Sequence, residues 1–202
     1  MSSAFFYGTL LHPTILTNVI GNDGGHLELC PAVLMDHTRH HVKRADYPAV
    51  LPYAKSKQMF DRDLNYEERS VRGTLVIGLT ESDIRLLDLF EGNEYERTPV
   101  FVHPLAPFLT LPSSVVPTSE AQLSVAPPTA PPLPLPSELA EAVPAETYIW
   151  IDKVTYLDAK LWSYDDFIKE KLHNWVGKDN EEYKEVQRRI EMQGNIVRDF
   201  SE

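Results

Sequence analysis

Eleven of the chain's 16 prolines fall between Pro104 and Pro144, and no Lys or Arg occurs between Arg97 and Lys153. This stretch constrains the fold more than any other feature, because proline lacks the backbone N–H that helix interiors and central strands require. Pro127-Pro128, Pro131-Pro132, Pro134 and Pro136 favour extended polyproline conformations, which build no packed core. The expectation is a disordered Pro-rich insertion over residues 104–145. It splits one barrel-like domain into residues 1–103 and 146–160, and residues 161–202 follow as a C-terminal helical extension. Thr98 to His103 and Thr147 to Ile151 then read as two strands that become neighbours once the insertion is set aside.

Outside that stretch the chain has the makings of a single core. Its 202 residues are 43% apolar and 24% charged, close to globular averages. The net charge of −11 has the wrong sign for a phosphate backbone or an anionic membrane surface, so neither a nucleic-acid partner nor a membrane is expected. The first basic residue is Arg39, which leaves the N-terminus without the basic pattern of a signal or transit peptide. The 22-residue stretch Thr98 to Ser119, without Asp, Glu, Lys or Arg, is broken by five prolines and cannot span a bilayer as a helix. Cys30 is the only cysteine, which forbids an internal disulfide and fits a reducing compartment. A soluble, cytoplasmic protein is the expectation.

Local patterns give the elements. Ala4-Phe5-Phe6-Tyr7 is an aromatic run stopped by Gly8, a buried strand entering a tight loop. Pro13 suits a first helical turn, and Ile15, Leu16, Val19 and Ile20 form a stripe that ends at Gly21. Leu29 to Tyr53 reads as short strands with irregular joins. Val71 to Leu79 is a strand whose nearly continuous apolar second half implies burial on both faces. Thr80-Glu81-Ser82-Asp83 resembles a capping box, opening a helix from about Glu81 to Glu91 with Ile84, Leu87 and Phe90 on one face and Gly92 at its end. Two closing helices are expected, Ser163 to Trp175 and Asp179 to Met192.

Two places could carry chemistry. The loop Tyr7-Gly8-Thr9-Leu10 joins a strand end to a helix start, where free N–H groups attract anions and could hold a carboxylate; a plain tight turn is the alternative. Glu91, at the C-terminal end of an apolar helix, meets partial burial and the negative end of the helix dipole, both of which favour a proton acceptor near neutrality. An exposed helix-end glutamate is the alternative there. Asp88 and Glu91 share a helix face, which raises a glycosidase-like carboxylate pair, but no aromatic sugar platform can be placed beside them. His37, His40 and His41, with Cys30 near in sequence, invite a metal reading. In a strand His37 and His41 share a face while His40 points away, so surface histidines and no metal are the expectation.

The separate stretches Phe6-Tyr7-Gly8-Thr9-Leu10, Tyr47-Pro48-Ala49-Val50, Val71-Arg72-Gly73-Thr74-Leu75 and Leu87-Asp88-Leu89-Phe90-Glu91-Gly92-Asn93-Glu94-Tyr95-Glu96-Arg97 occur in this order. Together they resemble the γ-glutamylcyclotransferase-like superfamily, and within it the avirulence-induced-gene-like branch of plants and fungi. The resemblance covers roughly Ala4 to Val102 and resumes at Thr147 to Asp152, and the ending with Leu161-Trp162, Phe167 and Trp175 looks like the branch's variable C-terminal extension. It implies an α+β fold, a small, partly open β-barrel of about six strands with flanking helices, plus C-terminal helices. It further implies a pocket lined by Tyr7, Gly8, Thr9 and Leu10, with Glu91 as the acid/base residue and Tyr95 bordering the substrate. The implied reaction closes a small-molecule γ-glutamyl substrate to 5-oxoproline and frees an amine, with no metal or organic cofactor. The alternative is a non-catalytic binding or interaction protein that keeps the pocket and recruits a weak protein partner through the Pro-rich loop, where Pro131-Pro132-Leu133-Pro134 has P-x-x-P spacing.

Overall fold

A computed structural model describes residues 1–111 and 131–175, with Lys184, Arg188, Glu191 and Met192 as single positions beyond them. The expected α+β barrel is observed. Five strands close it: β1 (Ser2–Phe6), β2 (Glu28–Met35), β5 (Ser70–Leu79), β6 (Tyr95–Pro104) and β8 (Val143–Trp150). They run in the order β5, β1, β8, β6, β2, and the β2–β5 pairing completes the ring. β1 is antiparallel to β5, with Phe5 opposite Leu75, and parallel to β8, with Ala4 opposite Glu146. β7 (Leu109–Thr110) lies outside the ring on β2. A second sheet is formed by β4 (Pro48–Pro52), β3 (His37–Val42) and β9 (Leu157–Leu161), in that order.

The strand period sorts side chains into two cores. Along β1, Phe5 joins Ala32, Leu34, Val71, Leu75 and Val102 inside the barrel, while Ala4 and Phe6 join the helices outside it. β5 does the same, with Leu75 facing in and Val76 and Leu79 facing out. The unbroken apolar run of that strand therefore reflects burial on both faces, as its sequence implied. Gly73 sits among the inward positions because a Cβ there would lie 2.2 Å from the Phe6 carbonyl oxygen and 2.5 Å from the Phe5 ring.

The outer core is covered by α1 (Pro13–Ile20), which presents Ile15, Leu16, Val19 and Ile20 and ends at Gly21 in the left-handed region, φ 70°. It packs on α3 (Glu81–Glu91), whose buried face includes Ile84, Leu87 and Phe90. The capping box is formed: the Asp83 N–H donates to Thr80 Oγ1 at 3.1 Å, and the Thr80 N–H donates to Asp83 Oδ2 at 2.9 Å. A short α2 (Tyr53–Ser56) follows β4.

The pair expected across the insertion is present, β6 and β8 meeting antiparallel from Tyr95 opposite Trp150 to Val102 opposite Val143. Both described ends of the Pro-rich span contact the barrel. Leu111 is buried and donates its N–H to the Leu27 carbonyl at 3.1 Å. At the other end the Pro134 carbonyl accepts from the Tyr66 hydroxyl at 3.1 Å, Leu133 N–H donates to Glu67, and Arg72 donates to the Pro131 carbonyl. Residues 112–130 lie outside the described residues, as does the closing helix expected at Asp179 to Met192 apart from four single positions. The other closing helix is two pieces, α4 (Tyr164–Glu170) and α5 (Leu172–Trp175), parted at Lys171, where φ is −125°. The break turns Leu172 and Trp175 in beside Phe167, all three buried.

Candidate active site

Where β1 ends, Tyr7 and Gly8 lead into a 3-10 turn at Thr9–Leu11 that hands the chain to α1. The turn is closed by Leu11 N–H to the Gly8 carbonyl, 3.0 Å, and His12 N–H to the Thr9 carbonyl, 3.1 Å. From the far side Arg39 on β3 donates to the Tyr7 carbonyl at 2.7 Å while its guanidinium lies 4.9 Å from the Trp162 ring centre. The loop is thus held at both ends. Gly8 itself packs against Pro48 of β4, and a Cβ at that position would lie 2.9 Å from the proline Cγ.

Glu91, the last residue of α3, comes to the same place. One narrow cavity of ≈ 20 Å³ is lined by Tyr7, Gly8, Thr9 and Leu10 from the loop, Tyr47 and Pro48 from the β3–β4 region, Phe90 and Glu91 from α3, Tyr95, Tyr148 and Trp175. Its volume matches roughly one water, so a larger ligand enters only as a wall gives way. Glu91 is the only charged residue among these, and its carboxylate contributes, after burial, to holding the Tyr7 and Tyr148 phenols far above their ordinary range. Both phenols therefore stay protonated and act as hydrogen-bond donors.

All the tyrosine hydroxyls around the cavity donate to protein acceptors. Tyr7 donates to the Tyr148 carbonyl and Tyr95 to the Pro48 carbonyl at 3.0 Å. Tyr148 donates to Asp88 at 2.9 Å, and Tyr47 to the buried Glu94 at 3.3 Å. Asp88 also takes the Nε–H of Arg97 at 2.9 Å, and Arg97 reaches on to Glu146. Of the two carboxylates considered from the helix spacing, Asp88 serves an ion-pair network on β6 and β8, while Glu91 lines the cavity.

Of the residues singled out from sequence, Tyr7, Gly8, Thr9, Leu10, Glu91 and Tyr95 all line one cavity. The histidines disperse. His40 is wholly buried rather than on the surface, bonded to the Asp158 carbonyl and to Thr38 Oγ1, both at 2.8 Å. His37 and His41 are half-buried on the other face of β3, and Cys30 lies in the first sheet beside the Ala106 carbonyl. Tyr148 and Trp175 were not singled out as site residues, because in a strand or helix pattern they look like any core aromatic. Tyr47 and Pro48 carried a signal, the Tyr-Pro-Ala-Val motif, without an assigned role.

The fold and the shared cavity define a barrel of the γ-glutamyl cyclotransferase kind. The pattern of the family described as "Gamma-glutamyl cyclotransferase, AIG2-like" matches residues 4–111, and the chain belongs to that family. Protein AIG2 C of Arabidopsis thaliana is 26% identical over 100 residues, 50% of this chain and 51% of that protein. AIG2-like protein D of the same plant is 31% identical over 102 residues, 50% of this chain and 57% of that protein. The chain thus spans about half the length of the curated relatives it matches. A solution structure from Arabidopsis thaliana shares the fold with a TM-score of 0.50 at 19% identity, over 96% of this chain and 84% of that one. The yeast gamma-glutamyl cyclotransferase specific to glutathione gives a TM-score of 0.48 at 12% identity, over 95% and 96% of the two chains. Among the described residues no helix is long and apolar enough to cross a membrane.

Proposed function

We propose that the protein is a γ-glutamylcyclotransferase that converts a γ-glutamyl amide or amine into 5-oxoproline and a free amine. The observation that carries this is the placement of Glu91, the one charged lining residue, in the same cavity as the Tyr7–Leu10 loop. In this reading the loop N–H groups hold the α-carboxylate. Glu91 takes a proton from the α-ammonium, and the freed amine attacks its own γ-carbonyl carbon. The new C–N bond closes the five-membered ring, Glu91 returns its proton to the departing nitrogen as the old C–N bond breaks, and the ring nitrogen's remaining extra proton passes to the freed amine, which leaves as an ammonium. Because nucleophile and electrophile belong to one molecule, holding it folded supplies much of the acceleration. No step calls for a metal or an organic cofactor.

The test is 5-oxoproline release from a panel of γ-glutamyl compounds, with Glu91→Gln beside the wild type. Gln keeps the shape and one acceptor but takes no proton near neutrality. Turnover should fall about 10²- to 10⁴-fold, while the melting temperature holds or rises slightly, since a negative charge leaves the negative end of α3. Unchanged turnover in the folded variant would remove Glu91 as the base.

A further inference from the structure

The match to the family ends at residue 111, yet the cavity is completed by a residue of the C-terminal extension. Trp175 of α5 is 3% exposed and packs edge-on against Phe90 and Tyr47, with ring centres 6.4 and 6.5 Å away. We propose that Trp175 is a ligand-contacting residue of this pocket, its indole N–H donating to an oxygen of the bound γ-glutamyl group. The proposal rests on reading the pocket as a γ-glutamyl site.

The argument is one of hydrogen-bond accounting. The four tyrosine hydroxyls of the lining donate to protein oxygens. Trp175 lines the cavity, and its Nε1–H is buried and meets no acceptor among the described residues. A buried donor left unpaired is costly; buried atoms of His12, Thr14, His41 and Arg69 also lack a hydrogen-bond partner among the described residues, but of these five residues only Trp175 lines the cavity. Phe would fill nearly the same aromatic space without that cost. The other two indoles of the chain behave as buried indoles ordinarily do. Trp162 donates to the Asp46 carbonyl and Trp150 to the Lys153 carbonyl, each at 3.3 Å. The exception is the indole that lines the cavity, and a ligand rich in oxygen acceptors supplies what it lacks.

The experiment compares Trp175→Phe with Tyr53→Phe, which removes a buried hydroxyl that lies outside the cavity lining and accepts from the Leu64 N–H at 2.9 Å. Trp175→Phe should keep or raise the melting temperature of the free protein. Its kcat/KM on the substrate found by the panel should fall about 5- to 100-fold, mainly through KM, because the contact already exists in the ground-state complex. Stabilisation by added 5-oxoproline should shrink in parallel. Tyr53→Phe should show the opposite pattern, a lower melting temperature with kcat/KM retained. Wild-type kcat/KM and wild-type stabilisation in Trp175→Phe would overturn the proposal. So would a Trp175→Ala protein faster than wild type, which would make the ring a plug. A wild type that neither turns over any γ-glutamyl compound nor is stabilised by 5-oxoproline would overturn the γ-glutamyl reading itself, and the proposal with it.

Discussion

Gly8 and Pro48 come from stretches forty residues apart, and the site depends on how closely they approach. The proline Cγ and Cδ stand 2.9 and 3.0 Å from where a Cβ of residue 8 would be, inside any tolerated carbon contact, and a proline ring cannot swing aside. Gly8→Ala should therefore push the loop off Pro48, at about 1–3 kcal/mol of overpacking, and displace Thr9 and Leu10 with it. Binding of 5-oxoproline, followed by thermal stabilisation, should weaken at least about tenfold, since sub-ångström misplacement of a positioning group is expensive. Adding Pro48→Ala removes the clashing atoms and should restore part of both losses, a favourable coupling in the double-mutant cycle. Strict additivity of the two substitutions would show that the loop is set by something other than this contact.

α3 carries Glu91 at one end and a buried anchor at the other. Asp83, 1% exposed, caps the helix through Thr80 and also accepts from Asn22 at 2.9 Å and from His26 at 3.0 Å. Backbone and side-chain hydrogen bonds outweigh its burial and hold its carboxyl below the usual range. Asp83→Ala should cost roughly 2–3 kcal/mol, the sum of a lost cap and lost bonds to a charged acceptor. Glu91 lies eight residues on, about 12 Å along the axis, so turnover per folded molecule should stay near wild type while the denaturation midpoint drops. A loss of turnover equal to that of Glu91→Gln would mean the anchor positions the base. This helix was legible because its signals are local: cap, apolar stripe and terminal glycine lie within thirteen residues. So were α1 and the two-faced β5. The closure of the barrel through β2 and β5 and the docking of Leu109 and Leu111 carry no local signal, since register between distant strands is settled by packing. The site divides in the same way. The Tyr7–Leu10 loop, Glu91 and Tyr95 were readable in order along the chain, whereas Tyr148 and Trp175 enter the cavity only through tertiary structure.

At the scale of the whole molecule, burial of three imidazoles, those of His12, His37 and His40, ties stability to pH. His12 is 6% exposed, and burial lowers its pKa to about 4. His40 and His37 are also lowered chiefly by burial, partly offset by hydrogen bonds to the Asp158 and Met35 carbonyls. In the unfolded chain these groups take up protons near pH 6.5. Below that pH the unfolded state binds more protons than the folded one, and stability must fall as pH falls. The loss begins near pH 6.5 and continues toward 4, where His12 protonates in the folded state. Each imidazole contributes at most about 1.4 kcal/mol per pH unit within its own window. Asp83, lowered from 3.8, adds a further loss only in stronger acid. Denaturant midpoints measured from pH 7.5 to pH 5 should therefore decline steadily, well before the carboxylates titrate. His12→Asn should flatten that slope, because Asn does not titrate and is a good residue for the helix N-cap position that His12 occupies. The slope is the readout, not the absolute stability, since the smaller side chain leaves a void. Midpoints that hold constant or rise between pH 7 and pH 5 would show that the buried imidazoles are protonated in the folded protein.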